Sequence, residues 1–191
     1  MASWVKLATA TASSGDSITS PVFTAKKHLK IMLEIDASSD GKWRFGNDTI
    51  DTGNNYAQAD TANGGTRVGG VNRSNIECSY GSTPQFIKME IGNIANREKL
   101  GIGEVVSAAT GGGNTPNRKE SNFKWVNTSN QINIVQSYGW NTISYAILTV
   151  WGADDQPSTP FYPNLSNGTI FEESDTGKHY MFDGSQTWNE M

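Results

Sequence analysis

Cysteine and histidine are almost missing from this chain, with one Cys and two His in 191 residues. Cys78 cannot form an internal disulfide, so no disulfide framework holds the fold. Its neighbours Ile76-Glu77-Cys78-Ser79-Tyr80 alternate like a strand, which makes the thiol a small buried hydrophobe before it is a nucleophile. A nucleophilic thiol needs a base, and nothing in the spacing brings His28 or His179 to Cys78. No Cys/His cluster has zinc-ligand spacing, and no Gly-x-Ser-x-Gly elbow presents a serine nucleophile.

Positive charge is also scarce. Fifteen basic residues face nineteen acidic ones, giving a formal net charge of −4 and a pI near 5.1. Nucleic-acid binders concentrate basic side chains on one face; here the only cluster is Lys26-Lys27-His28 with Lys30 beyond it, a solvated strand edge. Nucleic acid is therefore not an expected partner. No apolar run reaches membrane-spanning length, and Met1-Ala2-Ser3-Trp4-Val5-Lys6 has no apolar signal region. The expectation is synthesis in the host cytoplasm, without membrane insertion. Amphipathic helices are missing too; the one helix-like piece is Ile94–Leu100.

What is present is strand periodicity. From His28 to Asp36, Leu29, Ile31, Leu33 and Ile35 fall on one face and Lys30, Met32, Glu34 and Asp36 on the other. Ile87, Met89 and Ile91 oppose Lys88 and Glu90, and Ile132 and Ile134 share a face after Asn130. Ile143–Trp151 is apolar on both faces, as in a strand central to its sheet or at an interface. Further strands are expected at Trp4–Thr11, Ser17–Phe23, Lys42–Phe45, Asn75–Tyr80, Glu104–Ala109 and Asn122–Val126. Turn-forming clusters such as Ser38-Ser39-Asp40-Gly41 and Gly111-Gly112-Gly113-Asn114 separate them. The fold class is all-β: an antiparallel sandwich, jelly-roll-like, over residues 1–153. Residues 154–166, with Pro157 and Pro160, read as a linker. Residues 167–191 read as a small C-terminal hairpin or meander with turns at Asp175–Gly177 and Asp183–Gly184. Its aromatics Phe171, Tyr180, Phe182 and Trp188 are too many for so short a segment to bury, which makes them candidate assembly contacts.

Catalytic patterns are weak. Glu34, Asp36, Glu90 and Glu104 could supply an acid–base pair, but acidic residues on the outward face of a strand are ordinarily solvated. Asp36-Ala37-Ser38-Ser39-Asp40-Gly41 resembles the start of a calcium loop, yet Asn47 stands where the closing carboxylate belongs, and a tight turn explains the same residues. No metal, cofactor or catalytic residue is assigned, and no enzyme activity is expected. The glycine-rich loops around Asn63–Gly70 and Thr110–Asn114 lack the Gly-Lys-Ser/Thr and following helix of a phosphate cradle, and suit partner contacts. Trp4, Trp43, Trp125, Trp140 and Trp151 fall in or beside strands, where they are either core or a sugar-stacking platform.

Three stretches resemble a known group. Ile91-Gly92-Asn93-Ile94-Ala95-Asn96-Arg97-Glu98-Lys99-Leu100, Lys124-Trp125-Val126-Asn127-Thr128-Ser129-Asn130-Gln131-Ile132 and the Leu165–Trp188 pattern are similar to virion structural proteins of tailed viruses, of the marine phage and archaeal virus type. The last pattern resembles the short hairpin that ends many phage tail and fibre proteins. The resemblance implies a jelly-roll-like sandwich located in the virion and devoid of catalysis. A capsid decoration, head-fibre subunit or tail component is expected. The expected partners are the chain itself, as a homo-oligomer and most readily a trimer, and other virion proteins such as the major capsid protein. The alternative is a glycan-binding, lectin-like host-attachment module.

Overall fold

A computed structural model of the chain describes residues 3–81, 84–109, 111–154, 167–173, 175–183 and 188–191. The chain divides into two compact units, residues 2–155 and residues 156–191 together with Met1. The large unit contains β1 (Val5–Ala12), β2 (Ser17–Thr19), β3 (His28–Ala37), β4 (Lys42–Asn47), β5 (Thr49–Ile50), β6 (Tyr56–Ala62), β7 (Val68–Arg73), β8 (Gln85–Gly92), β9 (Lys99–Ser107), β10 (Asn117–Trp125), β11 (Ile134–Tyr138) and β12 (Ile143–Ala153). The small unit is a meander of β13 (Ile170–Glu173), β14 (Lys178–Phe182) and β15 (Trp188–Glu190). The expected linker falls largely outside the described residues.

The large unit is an all-β antiparallel sandwich with sheets of unequal size. Its eight-stranded sheet runs β1-β12-β3-β8-β9-β10-β6-β7, and its four-stranded sheet runs β2-β11-β4-β5. One apolar core lies between them. Leu29, Ile31, Leu33 and Ile35 on β3 and Ile87, Met89 and Ile91 on β8 point into it, as their period of two requires. Trp43 and Phe45 on β4 and Val135 on β11 meet them from the smaller sheet, and the Phe45 and Phe123 rings lie 5.8 Å apart.

Several elements differ from the sequence expectation, each for a local reason. Ile94–Leu100 is not helical: residues 95–97 form a turn in which Asn96 has φ of 60°, and β9 starts at Lys99. Asn75–Tyr80 is not a strand, although Ile76, Cys78 and Ser79 are buried; it touches the ladder only at an isolated Trp43–Ile76 bridge. Side chains satisfy several of its other backbone groups. The Gln58 side-chain oxygen accepts the Glu77 N–H (2.6 Å), and the Trp43 indole donates to the Cys78 carbonyl (2.9 Å). The Asn63–Gly70 stretch is mostly a hairpin, with Val68–Gly70 already in β7. Ile132 is buried but Ile134 is only half-buried, because an irregular step before β11 passes the inner positions to Val135 and Ser137. β12 is flanked by β1 and β3, and its outward side keeps Tyr145 exposed.

Candidate functional site: the outer face of the large sheet

The register of the large sheet arranges its outward side chains in rows across the strands. One row runs Trp151, Lys30, Glu90, Ile102 and Asn122. The next runs Thr149, Met32, Lys88, Glu104 and Glu120, and a third runs Ile147, Glu34, Phe86, Val106 and Arg118. The middle of the face is neutralised by ion pairs: Lys30 with Glu90 at 3.3 Å, Lys88 with Glu104 at 3.0 Å, and Arg118 with Glu120. Such exposed pairs each contribute about 0–1 kcal/mol, so their effect is on the charge pattern more than on stability.

At either end of this charged band lies a shallow apolar depression. The first, of about 550 Å³, is bordered by Trp4, His28, Leu100, Ile102 and Asn122. The second, of about 510 Å³, is bordered by Glu34, Asp36, Phe86, Val106 and Tyr145. Leu100 and Ile102 are 62% and 52% exposed, and Phe86, Val106 and Tyr145 are 44–47% exposed.

β9 explains the first of these. Its sequence Lys99-Leu100-Gly101-Ile102-Gly103 invites a reading with leucine and isoleucine inward, whereas the glycines take the inner positions. A Cβ on Gly101 would sit 2.4 Å from the Phe123 ring, and one on Gly103 would sit 2.6 Å from the Cys78 sulfur. The partners' bulk forces glycine in and turns Leu100 and Ile102 out. This apolar/glycine alternation was the signal for the outer patch, but its phase is set by side chains distant in sequence.

The residues singled out by sequence are dispersed. Cys78 is buried against Gly103, and burial pushes its thiol up to about 12, as suits a packing residue. His28 begins β3 and His179 lies on β14 in the other unit, 3.8 Å from a Glu172 oxygen. Of the four carboxylates, Glu90 and Glu104 are held by lysines, while Glu34 and Asp36 stand together on the outer face. In the Asp36–Gly41 turn, Ser39 donates to the Gly139 carbonyl (3.0 Å), and Gly41 lies under the Trp140 ring, 2.1 Å from where a Cβ would be. Those contacts account for the turn without an ion. Lys26 and the Lys27 backbone N–H both bind the Asp154 carboxylate, at 2.8 and 3.1 Å, so the basic cluster fastens the start of β3 to the end of β12. These two bonds hold the Asp154 carboxyl below its ordinary range.

Among the tryptophans, Trp43, Trp125 and Trp140 are buried, with indole N–H groups bonded to Cys78, Asp51 and Ser137. Trp151 is half-buried and Trp4 is 40% exposed, with the Lys30 ammonium 4.9 Å from its ring centre. In the small unit Phe171 is exposed and its ring lies 6.5 Å from that of half-buried Tyr180. Phe182 is only 3% exposed and pairs in register with Trp188. Among the described residues the open apolar surface there is Ile170, Phe171, Met181 and Met191, whereas Phe182 is not available to a partner.

The first two stretches that carry the resemblance meet in space. The Asn93 side chain donates to the Lys26 and Ile132 carbonyls (2.9 and 3.0 Å) and accepts the Ile132 N–H (2.7 Å). The Lys99 ammonium donates to the carbonyls of Arg97 and Asn127 (2.6 and 3.0 Å), with burial holding its pKa below the lysine norm. The two stretches form a structural knot that ties the β8–β9 connection to the β10–β11 connection. No family model, curated protein or solved structure matches the chain.

Proposed function

We propose that this chain is a structural subunit of a virus particle, a capsid decoration, head-fibre or tail component, that assembles through the outer face of its large sheet. The observation that carries the reading is the set of exposed apolar side chains on that regular face: Leu100, Ile102, Phe86, Val106 and Tyr145. Apolar side chains grouped on a rigid surface mark a contact site, whereas singly scattered ones do not. Strand backbone fixes their spacing, so the face enters a complex with little ordering cost. Assemblies of repeated subunits multiply modest contacts through symmetry, and two shallow depressions per copy suit that economy. The resemblance to tailed-virus virion proteins supplies the kind of assembly, and Phe171 with Ile170 and Met181 in the small unit offers a second contact surface for a homo-oligomer, most simply a trimer.

The test is mass spectrometry of purified particles. The chain should be present in many copies per particle; recovery only from infected-cell lysate would defeat the reading. Leu100→Lys together with Ile102→Lys should block incorporation while leaving a folded chain.

One observation favours a second reading, attachment to a host surface glycan. Trp4 presents an exposed ring at the first depression beside His28 and Asn122, which suits stacking of a sugar with hydrogen bonds at its rim. Trp43, Trp125 and Trp140 are buried and take no part. Tryptophan fluorescence titrated with host polysaccharide, compared between wild-type and Trp4→Ala chains, separates the two readings.

A further inference from the structure

On the outer face three carboxylates, Glu90, Glu104 and Glu120, each have a cation beside them. Glu34 and Asp36 do not; among the described residues neither has an ion-pair partner. They lie two residues apart on β3 and so project from the same face, with both side chains exposed. The register sets Phe86 directly opposite Glu34 on one side and Tyr145 directly opposite Asp36 on the other. Both rings border the same depression of about 510 Å³, along with Val106. Phe86 and Tyr145 are 44% and 47% exposed.

From this geometry we infer that the second depression receives a cationic side chain, lysine or arginine, presented by a partner protein. Two uncompensated carboxylates on one strand repel each other, and a cation between them removes that cost. The neighbouring rings offer the negative faces that attract an ammonium or guanidinium group, and they cover its apolar stem. The rest of the face already carries its own counter-charges, so the selectivity for a cation is local. The inference rests on reading this face as a contact surface, but not on the particle to which the surface belongs.

The experiment follows backbone amide resonances of the full chain during titration with an arginine nonapeptide and, separately, with tetramethylammonium chloride. Shifts should concentrate at Phe86, Val106 and Tyr145. Glu34→Gln combined with Asp36→Asn should weaken peptide binding about tenfold or more. Glu90→Gln combined with Glu104→Gln removes the same formal charge away from the depression and should change binding less than about twofold. Phe86→Ser should abolish the tetramethylammonium response. All the substituted side chains lie on the outer face, and melting curves matching wild-type would establish that each variant is folded. Equal weakening by the two double variants would overturn the inference, since binding would then follow net charge alone. Absence of shifts at the depression would also overturn it. So would self-association of the chain that is unaffected by Glu34→Gln and Asp36→Asn, because a second copy would then cover the face without using the carboxylates. Failure here leaves the particle reading to its own test by mass spectrometry.

Discussion

Asn93 carries more of the fold than its size suggests. It is fully buried, and its amide satisfies the Lys26 and Ile132 carbonyls and the Ile132 N–H, while its own backbone carbonyl accepts from the Gln131 side chain (2.6 Å). Asn93→Ala would leave backbone groups on two other segments unpaired in the interior. Each such group costs about 1–3 kcal/mol. The variant should therefore lose about 2–4 kcal/mol in denaturant unfolding at an unchanged m-value. Asn93→Asp should be no milder, since it replaces the donor to two carbonyls with an acceptor. Asp51 is the other residue with a readable signature. Burial pushes its carboxyl up, but hydrogen bonds from the Trp125 indole (2.7 Å), Asn55 and the Gly53 N–H, with the Arg44 charge, outweigh that and hold it below the ordinary 3.8. A depressed folded pKa contributes stability that is complete above the unfolded value and disappears as pH falls through the folded one. The stability gap between wild-type and Asp51→Asn should accordingly be widest at pH values above the ordinary carboxylate range and narrow as pH falls below 3.8. Thermal melts across that interval check it, and a gap independent of pH would refute it. Neither role is legible in sequence, because Asn93 depends on Lys26 and Ile132 and Asp51 on Trp125, partners dozens of residues away that no periodicity encodes.

At the scale of elements, β4 shows how an exposed strand edge is completed without another full strand. One side of β4 pairs with β11. On the other, Trp43 exchanges backbone bonds with Ile76 (2.8 and 3.0 Å), and β5 covers Gly46 and Asn47. Between them stands the Tyr56 hydroxyl. It accepts the Phe45 N–H (3.0 Å) and lies 3.0 Å from the carbonyl oxygens of Phe45 and Asp51, to either of which it can donate. Burial raises its pKa, so the phenol stays protonated and able to donate. Tyr56→Phe keeps the ring against Phe45 but orphans the Phe45 N–H, and should cost about 1–3 kcal/mol. Hydrogen exchange at the Phe45 amide should accelerate more than at Val135 on the paired side. Sequence reveals β1, β2, β4 and β12 as well as β3 and β8, and the last two need no outside information because their burial alternates residue by residue. β9 was caught only in part because its glycines reverse the sense of the alternation, and β6 with Ala57, Gln58, Ala59 and Asp60 has no apolar face to announce it. The candidate site suffered most from this. Glu34 and Asp36 were visible as outward carboxylates, whereas Leu100, Ile102, Phe86 and Tyr145 become a surface only once the register sets them side by side.

At the scale of the whole molecule, the division near residue 155 can be tested by cutting the chain there. The large unit has a continuous core of its own, with Leu29, Ile31, Leu33, Trp43, Phe45 and Leu148 all essentially inaccessible to solvent. The position of the cut matters. Asp154 binds Lys26 and the Lys27 N–H, so ending the chain at Ala153 would remove the clasp between β12 and β3 along with the small unit. A chain ending at Asp155 keeps it. That chain should fold cooperatively, with a melting temperature close to that of the full protein, and should give the same tetramethylammonium shifts at Phe86 and Tyr145. The chain ending at Ala153 should melt lower, and the difference should shrink as salt screens the exposed Lys26–Asp154 pair. If the Asp155 chain unfolds, the small unit belongs to the same cooperative structure. If it folds but no longer enters particles, the assembly contact lies in the small unit. If it folds and still enters, the contact is the outer face of the large sheet.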